Sequence, residues 1–186
     1  MFPEASHPLI TDLEHLSDSE LLTLWQNHTE QGRYFVTLYC RYGPLVAALL
    51  APQSTNPPGF LQIWRQAFLE LPAHTFGPTQ PAPFDSLKSW FIAQTNLLPP
   101  EGLMPTSAPI PLICFLEQTL HTFNPRQRFL FLMTHYFGWS ETRLTAYLQT
   151  EGEFLTRNTI AQENTQLTRS LQKSLPTDIC QLYELS

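Results

Sequence analysis

Seven residues in the last third of the chain, Arg157, Asn158, Thr159, Gln162, Gln166, Arg169 and Lys173, have the side-chain chemistry that reads duplex nucleic acid. A carboxamide presents an N–H donor beside a C=O acceptor, which matches the major-groove edge of adenine. Guanidinium and ammonium groups match guanine or phosphate. The spacing predicts one helix from about Thr156 to Leu175, ended by Pro176, with Ile160, Leu167 and Leu171 on its inner face and Asn164 at the remaining inner position. A solvated polar face on a three-helix unit fits the same pattern. Glu163 is expected on the outward side, and Glu151 and Glu153 lie in the loop before it. With only Arg157, Arg169 and Lys173 to neutralise phosphates, any duplex affinity of the chain alone is expected to be weak. Catalytic and metal chemistry find no comparable set. Cys114, His121 and His135 are too far apart for spaced ligands, and no phosphate-loop, zinc-protease or nucleophile-elbow motif occurs. The chain is therefore read as a non-enzyme without metal or cofactor.

The elements that must position this helix lie just before it, in Asn124 to Leu148. Asn124 suits a helix cap and Pro125 suits the first turn, where a missing N–H costs nothing. Phe129 to Phe137 is apolar at seven of nine positions and is expected to be buried nearly all round. Gly138 supplies a helix stop, and Ser140 can cap a short helix with Leu144, Tyr147 and Leu148 on one face. Together with the final helix these pieces predict a helix-turn-helix.

Hydrophobic residues make up 42% of the 186 and charged residues 14%, which argues for folded domains rather than disorder. No apolar run approaches the ~18 residues a membrane span needs. The first residues, MFPEASHPLI, do not read as a secretion signal, and three widely spaced cysteines do not suggest a disulfide framework. A cytoplasmic protein is expected. Its net charge of −6 disfavours autonomous nucleic-acid binding: residues 1–100 hold four Lys/Arg against eight Asp/Glu, and residues 101–186 hold six against eight.

The amino-terminal part predicts four helices after a flexible arm over 1–16. Ser17 to Glu20 fits a capping box ahead of a first helix. A second runs from Arg33 to Leu50 with Pro44 expected to kink it, a third from Phe60 to Leu71, and a fourth from Ser86 to Leu98. Proline-dense stretches separate the last three, and another, over 99–111, reads as a linker. Trp64, Trp90 and Phe91 suit either a core or stacking on an unpaired base. The expected architecture is all-α, with a four-helix domain over 17–98, a helix-turn-helix domain over 112–176 and a tail over 177–186.

The order of these pieces resembles that of bacterial sigma factors, especially the short extracytoplasmic-function type. Asn124-Pro125-Arg126-Gln127-Arg128, the apolar helix to Gly138-Trp139-Ser140 and the helix ending at Leu148 look like region 4. Leu38-Tyr39-Cys40-Arg41-Tyr42-Gly43-Pro44-Leu45-Val46, Arg65 to Leu71, and Ser89-Trp90-Phe91-Ile92-Ala93-Gln94-Thr95-Asn96 look like region 2. The resemblance covers roughly 19–98 and 112–175. It implies transcription initiation: core RNA polymerase bound through Gln62, Arg65, Gln66 and Leu69, promoter DNA held weakly by the chain alone, and an inhibitory protein as a further partner. The chain departs from the family at several points. Gln62 and Gln66 stand where acidic residues are usual, Leu97-Leu98-Pro99-Pro100 replaces an arginine-rich extension, and Ala161, Gln162 and Glu163 follow Thr159-Ile160 where cations are usual. These departures keep a second expectation open, a repurposed module that binds a protein partner without reading DNA.

Overall fold

In the computed structural model, residues 2–50, 58–74, 86–97 and 108–185 are described, and every regular element among them is helical. The longer α-helices are α2 (Asp18–Asn27), α3 (Arg33–Leu50), α4 (Pro58–Glu70), α5 (Leu87–Leu97), α6 (Ile110–His121), α7 (Pro125–Phe131), α8 (Glu141–Thr150) and α9 (Arg157–Ser174). The one-turn α1 (Pro8–Thr11) precedes them and the short α10 (Thr177–Leu182) follows. Of the expected proline-dense connections, residues 51–57, 75–85 and 98–107, including most of the linker, lie outside the described residues. The chain divides into two compact units, one made of 1–114 with 176–186 and the other of 115–175, the division falling within α6.

In the first unit, α2, α4 and α5 pack around α3. The reason is aromatic volume. Trp25, Phe35, Trp64, Trp90 and Phe91 are almost wholly buried. The Trp64 ring lies 4.9 Å from Tyr39 and 5.0 Å from Phe91, within the usual range for paired rings. Trp64, Trp90 and Phe91 are thus core residues, and none of the three faces solvent to stack on a base. A local cap starts α2. Ser17 accepts the Glu20 N–H, and the Glu20 carboxylate accepts the Ser17 N–H at 2.8 Å, a full capping box. α3 continues through Pro44 to Leu50.

The first sixteen residues were expected as an arm, yet residues 2–16 pack on α3. Pro3–Ser6 form a 3-10 turn and Pro8–Thr11 one helical turn, with Ile10 buried. Phe2 stands edge-on to Tyr39 with ring centres 4.8 Å apart, over Gly43, where an added Cβ would come within 2.6 Å of its ring. Arg41 ties the end of this segment down through Asp18 at 2.5 Å and the Leu16 carbonyl at 2.9 Å.

The last residues also belong to this unit. The Asp178 carboxylate accepts the N–H groups of Gly32 at 3.1 Å and Arg33 at 2.9 Å, so an acidic residue from α10 caps the 18-residue α3. Ile179 is fully buried, and the Tyr183 hydroxyl donates to the buried Glu4 carboxylate at 3.2 Å. Burial raises the pKa of Tyr39, Tyr42 and Tyr183. Glu4 adds to the effect at Tyr39 and Tyr183, and the Asp18 hydrogen bond adds to it at Tyr42. Each phenol therefore holds its proton longer in the folded state than in the unfolded one. Stability is full below about pH 10 and falls as pH rises beyond it. Urea midpoints of the unit are expected to drop between pH 9 and 11, and Tyr183→Phe should flatten part of that drop. A midpoint independent of pH over this range would contradict the assignment.

In the second unit, Asn124 and Gln127 form a reciprocal capping box at the start of α7. Gly138 turns the chain at φ +63°, a value that favours glycine, and Ser140 accepts the Arg143 N–H to start α8. The core is Leu130, Leu144, Leu148, Ile160 and Leu167, flanked by Phe123, Phe129, Met133, Trp139 and Leu155. The expectation that Phe129 to Phe137 is buried all round is overturned. Only Leu130 is fully buried, while Leu132, Tyr136 and Phe137 are 38%, 38% and 57% exposed. The helix widens into a π-turn over Leu132–Tyr136, where the Phe137 N–H reaches back to the Leu132 carbonyl at 3.0 Å, and this rotates the later side chains off the inward line. A few short helices also offer too little surface to cover both sides of one segment.

Candidate nucleic-acid and protein-docking faces

The eighteen residues of α9 separate two faces by period alone. Ile160, Leu167 and Leu171 point inward and are nearly fully buried, as does Asn164, whose Nδ2 donates to Thr134 Oγ1 at 3.1 Å. At 100° per residue, Asn158, Gln162, Gln166, Arg169 and Lys173 centre on the opposite side, and all five are exposed. Gln162, Gln166 and Arg169 line one shallow groove there with Ala161 and Thr165. Two residues of the expected set stand apart from this column. Arg157 projects near the inner flank, and its Nε donates to Glu141 at 3.0 Å. Thr159 is half-buried within the cap, its N–H donating to Thr156 Oγ1 at 3.2 Å and its hydroxyl 2.8 Å from the same atom.

Of the three acidic neighbours expected to spoil this face, Glu153 and Glu163 are engaged elsewhere, while Glu151 stays exposed in the turn after α8. Arg126 on α7 donates through Nε to Glu153 at 2.9 Å and through Nη1 to Glu163 at 2.7 Å, so one planar cation spans two carboxylates. Desolvation alone would lower the Arg126 pKa, and the hydrogen bonds and charges of Glu163 and Glu153 outweigh it and raise it. Glu163 therefore sits on the flank of α9 toward α7, off the outward column. Sequence reasoning missed this clamp, because nothing local links position 126 to 153 and 163. The only hint was an arginine in a first helical turn, where a cation is disfavoured by the helix dipole unless it has acidic partners.

In the first unit, α4 buries Leu61, Ile63, Trp64, Ala67 and Phe68 and turns Gln62, Arg65, Gln66 and Leu69 outward. Gln62 is exposed, Arg65 and Gln66 are half-buried, and Gln66 Nε2 donates to Glu70 at 3.0 Å. Leu69 is 74% exposed, a leucine presented to solvent at one end of a polar stripe. All four expected residues thus share one face at i, i+3, i+4 and i+7 spacing.

The chain matches no protein-family model, no curated protein and no solved structure. The two faces must therefore be read from their own chemistry. Among the described residues, no group of three or more His, Cys, Asp or Glu could hold a metal ion, and no helix is long and apolar enough to cross a membrane.

Proposed function

We propose that this chain is a divergent sigma-like subunit acting in transcription initiation in a bacterial cytoplasm. Its amino-terminal helices dock on core RNA polymerase through the α4 face of Gln62, Arg65, Gln66 and Leu69, and its carboxy-terminal helix-turn-helix brings α9 to the upstream promoter element. The observation that carries the reading is the two-sided α9: an apolar face seated on α7 and α8, and an opposite column of carboxamides ending in two cations. A solvated helix needs no such column, since any mixture of charges would serve. With a net charge of −6, attachment to polymerase supplies most of the binding free energy and DNA contacts add orientation. An inhibitory protein would compete for the same α4 face.

Co-purification of core polymerase with the full chain tests this. The unaltered chain is expected to retain polymerase, and Gln66→Arg with Leu69→Arg to lower retention by about tenfold or more, as expected when an exposed apolar contact and its polar neighbour both become charges. No polymerase on the unaltered chain rejects the proposal. The acidic balance favours a second reading, a module of the same fold that binds a protein partner and never reads DNA. It predicts no salt-sensitive duplex binding even with polymerase present.

A further inference from the structure

We infer that the outer column of α9 selects adenine, with Asn158, Gln162 and Gln166 as the specificity-determining residues and Arg169 and Lys173 as phosphate anchors. This deepens the proposed function and rests on α9 being its DNA-reading helix. The three carboxamides follow one another at four-residue intervals, about 6 Å apart along the axis, or nearly two base-pair steps at 3.4 Å. Each can bond adenine twice, donating to N7 and accepting from the N6 amine. Guanine offers two acceptors at the same edge, N7 and O6, which leaves the amide oxygen facing an acceptor. Cytosine presents a donor that a carboxylate satisfies best. No carboxylate lies in the outer column, since Glu163 and Glu153 are both held by Arg126. Order along the helix supports the division of roles. Asn158 and Gln162 lie in the amino-terminal half of α9, the part of a recognition helix that approaches base edges, Gln166 stands just past its midpoint, and the exposed Arg169 and Lys173 follow where such a helix leaves the groove past the backbone.

Fluorescence anisotropy of the full chain at about 50 mM salt, with and without core polymerase, tests this on three duplexes: A·T-rich, G·C-rich, and the A·T-rich sequence with 7-deazaadenine, which removes the N7 acceptor and leaves the minor groove intact. The A·T-rich duplex should bind about tenfold tighter than the G·C-rich one, as one bidentate pair can supply. 7-Deazaadenine should erase that preference. Gln162→Ala with Gln166→Ala should equalise the duplexes, whereas Arg169→Ala with Lys173→Ala should weaken all three alike and reduce the salt slope by about two. Equal binding of all three duplexes by the unaltered chain, or a preference that survives 7-deazaadenine, overturns the inference and leaves DNA binding standing. Absence of salt-sensitive binding to every duplex under both conditions ends the DNA reading and the inference with it.

Discussion

Deleting residues 176–186 is expected to destabilise the first unit by roughly 3–5 kcal/mol, a large share of the total stability of an ordinary domain. Three losses combine. Ile179 is fully buried, and burial of such a side chain is worth about 1.5–3 kcal/mol. Asp178 satisfies two N–H groups at the start of α3, a cap worth ~1–2 kcal/mol. Tyr183 is the hydrogen-bond donor to Glu4, whose other carboxylate oxygen is buried without a partner among the described residues. Part of each loss would be recovered by water entering the vacated site, which is why the sum is kept below the separate maxima. Urea denaturation followed by tryptophan fluorescence reads this directly, because Trp25, Trp64 and Trp90 all lie in the first unit. Asp178→Ala alone should account for about 1–2 kcal/mol of it. The Cys40 thiol gives an independent readout. Burial, with Glu4 contributing, pushes its pKa up to about 12, so it should react slowly with thiol reagents at pH 8 and faster after truncation. A truncated chain with an unchanged midpoint and unchanged Cys40 reactivity would make the last helix mere surface decoration.

Where the sequence was readable, the deciding contacts were close along the chain. Ser17 with Glu20, Asn124 with Gln127, and Ser140 with Arg143 are three-residue relations, and each formed as its residue types require. The inner face of α9 was equally legible, Asn164 included, because a 3.6-residue period sorts side chains before any partner is known. Readings failed where the answer lay far along the chain. Asp178 caps a helix that begins at Arg33, and no local pattern marks an aspartate for a donor nearly 150 residues away. The opening segment lacked a helical period, yet Phe2 is held by Gly43, whose missing side chain makes room for the ring. Between Phe129 and Phe137 the composition was read correctly as apolar, but composition sets only the wish to be buried. The π-turn and the small number of neighbouring helices decided which residues were covered.

Arg126→Ala is expected to cost the second unit about 1–2 kcal/mol, since a charge-assisted pair that is one-third exposed keeps only part of its strength, and to weaken the duplex binding proposed for α9 by roughly tenfold at low salt. The stability loss follows from geometry: the guanidinium fork joins α7 to the loop before α9 through Glu153 and to α9 itself through Glu163. The binding loss follows from charge. With Arg126 present the trio carries −1 and both carboxylates are directed away from the outer column. Without it the trio carries −2, and Glu163 is free to swing toward Gln162 and Gln166. Phosphate affinity responds to that field at low salt and loses the response as the Debye length shrinks. The two effects separate by rescue. Adding Glu153→Gln and Glu163→Gln to Arg126→Ala removes both carboxylate charges without restoring the ion pairs, so duplex binding should recover while stability does not. Arg126→Lys should hold one carboxylate at a time, since an ammonium lacks the planar fork, and fall between the two. If the triple variant binds duplex no better than Arg126→Ala, the clamp acts only by holding α7 and α9 in register. The cationic character of the α9 face would then owe nothing to the capture of its acidic neighbours.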